Sequence, residues 1–133
     1  MADMKKANEL YKGGFNCGQI VATFLSETCG FDEREARAGL AGFGGGMHCG
    51  ENCSAVIGGV YSLGMYCGQR DPGDEAAKEK IEHMTTAFTR AFRDQHGSLS
   101  CSELCTGKLE SCASYIETAE SIVKSLVAED KRK

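Results

Sequence analysis

A single proline, Pro72, interrupts the 133 residues, so little in the chain prevents long helices. No segment alternates apolar and polar residues with the two-residue period of a half-buried strand. The chain is therefore expected to be all-α, a compact bundle of six to seven helices. Positive charge is also scarce. Fifteen Lys and Arg stand against nineteen Asp and Glu, a formal net charge of −4, with no basic block, zinc-finger spacing or aromatic basic stripe. Nucleic acid rewards clustered cations, so neither nucleic acid nor an anionic membrane surface is an expected partner. The longest apolar stretch, Ser54 to Cys67, is too short to cross a bilayer and is broken by glycines. It reads as a buried helix. The first residues carry two lysines with no apolar stretch behind them, so no secretory signal is expected and the cytoplasm is the default location.

Several catalytic and cofactor patterns are missing as well. There is no C-x-x-C pair of the thioredoxin or zinc-ribbon kind, no close-spaced ferredoxin run, and no C-x-x-C-H for covalent haem. Gly42-Phe43-Gly44-Gly45-Gly46 follows no strand and precedes no Gly-Lys-Ser/Thr, so it is a poor phosphate loop. No Ser-His-Asp order or catalytic carboxylate pair stands out.

What the chain does have is eight cysteines. In a reducing compartment such usage points to metal binding or redox chemistry rather than to disulfides. Hydrophobic content of 41% and charged content of 26% are ordinary for a soluble domain, and residues 1–133 read as one cysteine-rich helical domain.

The helices can be placed from apolar spacing and caps. Residues 3–12 form a short first helix ending at Gly13-Gly14. Asn16 caps a second, with Cys17, Ile20, Val21, Phe24 and Thr28 on one face. Asp32 caps a third that carries Ala36, Leu40 and Phe43 and stops at Gly44-Gly45-Gly46. A fourth aligns Cys53, Val56, Ile57, Val60 and Leu63, and its glycines 58, 59 and 64 suit close packing at the centre. Asp71-Pro72-Gly73 turns the chain into a long helix with Ala77, Ile81, Met84, Phe88 and Phe92 inward. Ser100-Cys101-Ser102-Glu103 fits a capping box for a short helix ending at Gly107. The last helix starts near Ser111 and aligns Cys112, Tyr115, Ile116, Ala119, Val123 and Leu126.

Four cysteines, Cys17, Cys53, Cys101 and Cys112, thus fall at helix starts and on apolar faces. Unpaired N–H groups and the positive end of the helix dipole stabilise a thiolate there, and thiolates are what bind metals or exchange electrons. These four are the candidate cofactor and metal ligands. Cys29 and Cys67 each precede a glycine at a helix end, where terminal carbonyls disfavour a thiolate, and read as small buried apolar residues. Cys49 and Cys105 are spaced four residues from Cys53 and Cys101, and their roles stay open. His48 is a lesser candidate ligand or proton relay; solvated or structural roles fit it better, as they do His83 and His96. Glu51 reads as a surface loop charge.

Phe15-Asn16-Cys17-Gly18-Gln19, Gly44-Gly45-Gly46-Met47 leading into Cys53-Ser54-Ala55-Val56-Ile57-Gly58, His96-Gly97-Ser98-Leu99-Ser100-Cys101 with Glu103-Leu104, and Cys112 near Ile122-Val123 resemble, in that order, the redox-active family named for C_GCAxxG_C_C. The resemblance runs from about residue 10 to 128. It implies that the family's four cysteines fall on Cys17, Cys53, Cys101 and Cys112, and that the chain is a redox protein. The hexapeptide G-C-A-x-x-G is not literal here: Asn52 precedes the cysteine, and the segment reads Cys-x-Ala-x-x-Gly.

Four thiolates on a [2Fe–2S]²⁺ core leave a charge of −2, which helix ends and N–H donors can compensate in a buried site. An iron–sulfur protein for electron transfer or redox sensing is the leading expectation. Whether it is an enzyme, an oxidoreductase, or an electron carrier is left open. A metal-free dithiol/disulfide oxidoreductase using Cys49 and Cys53, or Cys101 and Cys105, is the second reading. A structural Cys₄ zinc protein is the third, since zinc on four thiolates carries the same charge. The expected partner is a redox protein that the sequence does not name, and a homodimer sharing a cluster is compatible with it.

Overall fold

The computed structural model describes residues 4–104 and 109–133. Seven α-helices account for most of them: α1 (Met4–Lys12), α2 (Cys17–Cys29), α3 (Glu33–Leu40), α4 (Ser54–Cys67), α5 (Glu75–His96), α6 (Cys101–Leu104) and α7 (Leu109–Lys131). Among the described residues the only pairing of β type is an isolated antiparallel bridge between Asn52 and Ser100. The protein is an all-α bundle, as its proline-poor, helix-periodic sequence predicts.

The caps explain most boundaries. Asn16 and Gln19 form a full reciprocal capping box, each side chain bonding the other's amide at 2.9 and 2.8 Å. The predicted cap was Asn16 alone. Asp32 and Asp74 accept from Arg34 and Ala77 to start α3 and α5. Gly30, Gly68 and Gly97 end α2, α4 and α5 in the left-handed conformation. Three expectations shift. α3 stops at Leu40 and tightens into a 3₁₀ turn, Ala41–Phe43. Ser100 does not make the predicted capping box in its expected form: its hydroxyl lies 3.2 Å from the Gly50 carbonyl and 2.9 Å from Ser102 Oγ. α7 begins at Leu109, which sets Cys112 inside its first turn rather than at its start. The predicted end at Gly107 and Cys105 lie outside the described residues.

Helices α2, α4 and α7 run in the same direction and pack on one another, and α5 runs back against α4 and α7. The starts of α2 and α4 touch at Gly18 and Ser54. At their far ends Tyr66 of α4 donates to Asp130 of α7 at 2.6 Å. α5 is reversed: its Met84 meets Cys67, and its Phe88 packs on Gly59 nearer the start of α4. The closest approach is between α2 and α4, where a Cβ on Gly58 would lie 2.6 Å from the Gly18 carbonyl oxygen. Only glycine permits that contact. It turns Gly58 and Gly59 into the core and leaves Ile57 and Val60, predicted as inward, half-buried. Phe88 and Phe92 are fully buried at the centre of the main cluster, with Ile20, Leu25, Leu63, Ile116 and Val123. Truncating either ring to alanine costs on the order of 3–5 kcal/mol. α2 is wider in its burial than one stripe, because Ala22 joins Ala36 and Leu40 in a second cluster beneath α3.

Candidate functional site

Because α2, α4 and α7 are co-directional, their starts converge, and a cavity of about 460 Å³ lies between them. Cys17, Cys53, Cys101 and Cys112 all line it, together with Tyr11, Phe15, Asn16, Ser54, His48 and backbone of the glycine-rich segment. Residues far apart in the chain thus share one apolar basin. Cys53 and Cys112 are each 5% exposed, while Cys17 and Cys101 are half-buried.

Each thiol is placed by a different device. Cys17 is the first residue of α2, held by the Asn16–Gln19 box. The Asn16 side-chain amide also donates to the Leu40 carbonyl at 3.0 Å, and Gln19 donates to the Arg37 carbonyl at 2.8 Å. These bonds lock the start of α2 to α3. Arg37 in turn lies over the Phe15 ring, 4.6 Å from its centre.

Cys53 is the residue preceding α4, with extended backbone angles. Its amide donates to the Leu99 carbonyl at 2.7 Å, and the Cys101 amide donates to the Glu51 carbonyl at 2.6 Å. With the Asn52–Ser100 bridge between them, these bonds zip residues 51–53 to 99–101 and bring Cys53 beside Cys101. Ser54, next in the chain, accepts the Gly18 amide on its hydroxyl at 3.1 Å, joining the two helix starts and giving a first-turn N–H of α2 a partner.

Burial pushes the Cys53 thiol above its usual range. The amides of Ala55 and Val56, at the start of α4, act the other way and favour the thiolate, whereas negative charge on Cys101 or Cys112 would raise it further. Cys53 is therefore close enough to Cys101 and to Cys112 to feel the charge of each. A positive group placed among them would reverse that repulsion.

Over the cavity runs a turn in which Gly45, Gly46, Met47 and His48 all have positive φ, between 57° and 63°. Met47 and His48 are not glycines, so this backbone is strained. Gly46 is indispensable to it: a Cβ there would lie 2.7 Å from the Cys101 Cβ and 2.6 Å from the Glu51 oxygen. His48 lines the cavity yet is exposed, and Met47 beside it is 42% exposed. Cys49 stands outside the cavity lining, exposed, with its thiol 3.5 Å from the Gly46 carbonyl. The Glu51 side chain is exposed and only its backbone serves the site.

His96 is half-buried away from the cavity against Phe92 and Tyr115, with ring centres 4.9 and 4.7 Å away, and its Nε2 lies 2.9 Å from Thr118 Oγ1. That burial lowers its pKa. Its role is to hold α5 on α7. Tyr115 extends the same packing to α6 by donating to the Leu104 carbonyl at 2.7 Å. Among the described residues no three His, Cys, Asp or Glu side chains are arranged to hold a single metal ion.

The family described as "Putative redox-active protein (C_GCAxxG_C_C)" matches residues 15–126, and the chain belongs to it. No curated protein and no solved structure matches the chain at a significant level. Among the described residues no helix is long and apolar enough to cross a membrane.

Proposed function

We propose that the protein holds an iron–sulfur cluster, most simply [2Fe–2S], on Cys17, Cys53, Cys101 and Cys112, and serves electron transfer or redox sensing. The observation that carries this reading is the meeting of those four thiols, from four separate helical segments, on one cavity. The donor set suits the group. A zinc ion needs all its sulfurs about 2.3 Å from one point. A two-iron cluster asks only that its thiolates approach in pairs, and it fills a wider space.

When bound, such a cluster supplies one-electron chemistry. The chain's own residues supply the rest. The start of α2, the start of α4 and the first turn of α7 aim helix dipoles at the sulfurs and offset the negative charge gathered there. The amides of Ala55 and Val56 favour the Cys53 thiolate. Phe15 and Tyr11 on the lining limit water, and the exposed edge at His48 and Met47 is where the site comes nearest to solvent and to a partner.

Iron and acid-labile sulfide analysis of anaerobically isolated protein, with a visible spectrum, tests this. A brown protein whose absorption bleaches on reduction, and loses its iron in Cys53→Ser, is expected. Protein with no iron and no sulfide, or iron unchanged in Cys53→Ser, overturns it.

One observation favours a second reading. The closeness of Cys53 to Cys101 and Cys112 also suits a metal-free dithiol that closes to a disulfide within the cavity. Thiol counts that fall by two on mild oxidation, in iron-free protein, would select it.

A further inference from the structure

Ser54, the first residue of α4, is 4% exposed and lines the four-cysteine cavity. Its oxygen accepts the Gly18 amide at 3.1 Å, which leaves its own hydrogen to be placed. Two other buried hydroxyls, Thr23 and Ser62, lie inside helices and donate to the carbonyls four residues back, Gln19 and Gly58, each at 2.8 Å. Ser54 has no helical carbonyl behind it, because α4 begins with it. Among the described residues its hydroxyl has no acceptor. Asn16, also on the lining, is occupied: it accepts from Gln19 and donates to Leu40. His48 is exposed and can bond to solvent. A buried hydroxyl is ordinarily paired, so the Ser54 hydrogen calls for an acceptor inside the cavity.

We propose, resting on the iron–sulfur reading above, that the Ser54 hydroxyl donates a hydrogen bond to a sulfur of the bound cluster and so raises its reduction potential. Reduction adds one electron to a core and four thiolates that together carry −2, and a donor aimed at sulfur favours the more negative state. No bond is made or broken at Ser54. The electron comes from the external reductant and settles on the cluster, and the proton stays on the serine oxygen. The Gly18 amide strengthens the donor, since hydrogen bonds in a chain polarise one another in a low-dielectric interior. Both neighbours hold the hydroxyl in place. Gly18 follows Cys17 and Ser54 follows Cys53, and the two backbones touch: a Cβ on Gly18 would lie 2.6 Å from the Ser54 carbonyl oxygen. The hydroxyl thus stands between two of the four proposed ligands, on helix starts that cannot shift apart without breaking its bond to Gly18.

The test compares the anaerobically isolated natural chain with Ser54→Ala and Ser54→Thr, with iron and acid-labile sulfide counted in each, by redox titration followed in the visible spectrum. At the midpoint potential of the natural chain, the ratio of reduced to oxidised cluster should fall about fivefold or more in Ser54→Ala. It should stay within about twofold in Ser54→Thr, which keeps the hydroxyl. Equal ratios in the natural chain and Ser54→Ala, both fully loaded, overturn the proposal and leave the cluster reading standing, as does a ratio that falls as far in Ser54→Thr. A natural chain without iron and sulfide overturns both. If Ser54→Ala does not keep its iron, deuterium ENDOR of the reduced natural chain in D₂O decides instead. An exchangeable hydron coupled to the cluster, and retained in Ser54→Thr, is expected there; the lack of any such coupling overturns the proposal.

Discussion

The backbone of Gly46 rests directly on the side chain of Cys101, so close that a Cβ on Gly46 would stand 2.7 Å from the Cys101 Cβ. The left-handed turn and the start of α6 therefore set each other's position. Gly46→Ala meets that clash and two more from Glu51, and adds the strain of a side chain at φ 63°. The substitution should leave helical content unchanged, because the core lies elsewhere, and, if the cavity holds the proposed cluster, should reduce bound iron at least severalfold. Circular dichroism with iron analysis on the same preparation checks it, and full iron occupancy would contradict the account.

Ser54→Ala removes the acceptor for the Gly18 amide at the junction of α2 and α4. A buried N–H left without a partner costs about 1–3 kcal/mol. Urea unfolding should show a loss in that range with an unchanged slope. A loss below about 0.5 kcal/mol would mean that another group satisfies the amide.

Partial burial lowers the pKa of His96 below the ordinary 6.5. The unfolded chain then binds the proton more readily than the folded one, and stability rises with pH wherever that holds. The His96 contribution is thus complete above about pH 6.5 and is lost as the pH falls below it, until the folded pKa is passed. Urea midpoints at pH 7.5 and 5.5 should fall further for the natural chain than for His96→Gln. Parallel declines would remove His96 from the explanation.

Glu120 lies on α7 with 2% exposure, its Oε1 2.7 Å from Lys124 Nζ and its Oε2 without a hydrogen-bond partner among the described residues. Such a buried carboxylate repays little of its desolvation. Glu120→Leu should therefore be neutral or stabilising, by up to about 4 kcal/mol, and thermal melting will show the sign. A destabilisation would indicate that the carboxylate has a role the surrounding contacts do not reveal.

The helices were readable because their signals are local. Asn16, Asp32 and the glycines at 30, 68 and 97 act within a turn of where they sit, and Ala77, Met84, Phe88 and Phe92 repeat at helical spacing to the core. The site was readable only in part. Helix starts pointed to Cys17 and Cys53, but what brings Cys53 to Cys101 is a three-residue zipper between 51–53 and 99–101. That pairing is too short to have a period and too distant along the chain to leave a local signal. Met47 and His48 carry no glycine to announce a left-handed backbone. Glu120 was hidden because charge on a helix ordinarily marks its solvent face. Cys112 was placed at the start of a helix that in fact begins at Leu109, since nothing in Leu109-Glu110-Ser111 marks the boundary.

Cys112 rides on α7, so the basin has no closed wall until that helix docks along α2 and α4. Order of assembly follows from this. A chain with α7 still loose presents an incomplete ring of sulfurs, open from that side. With α7 seated, Cys112 closes that side of the basin, and a group held on the four sulfurs would leave only as fast as α7 lifts away.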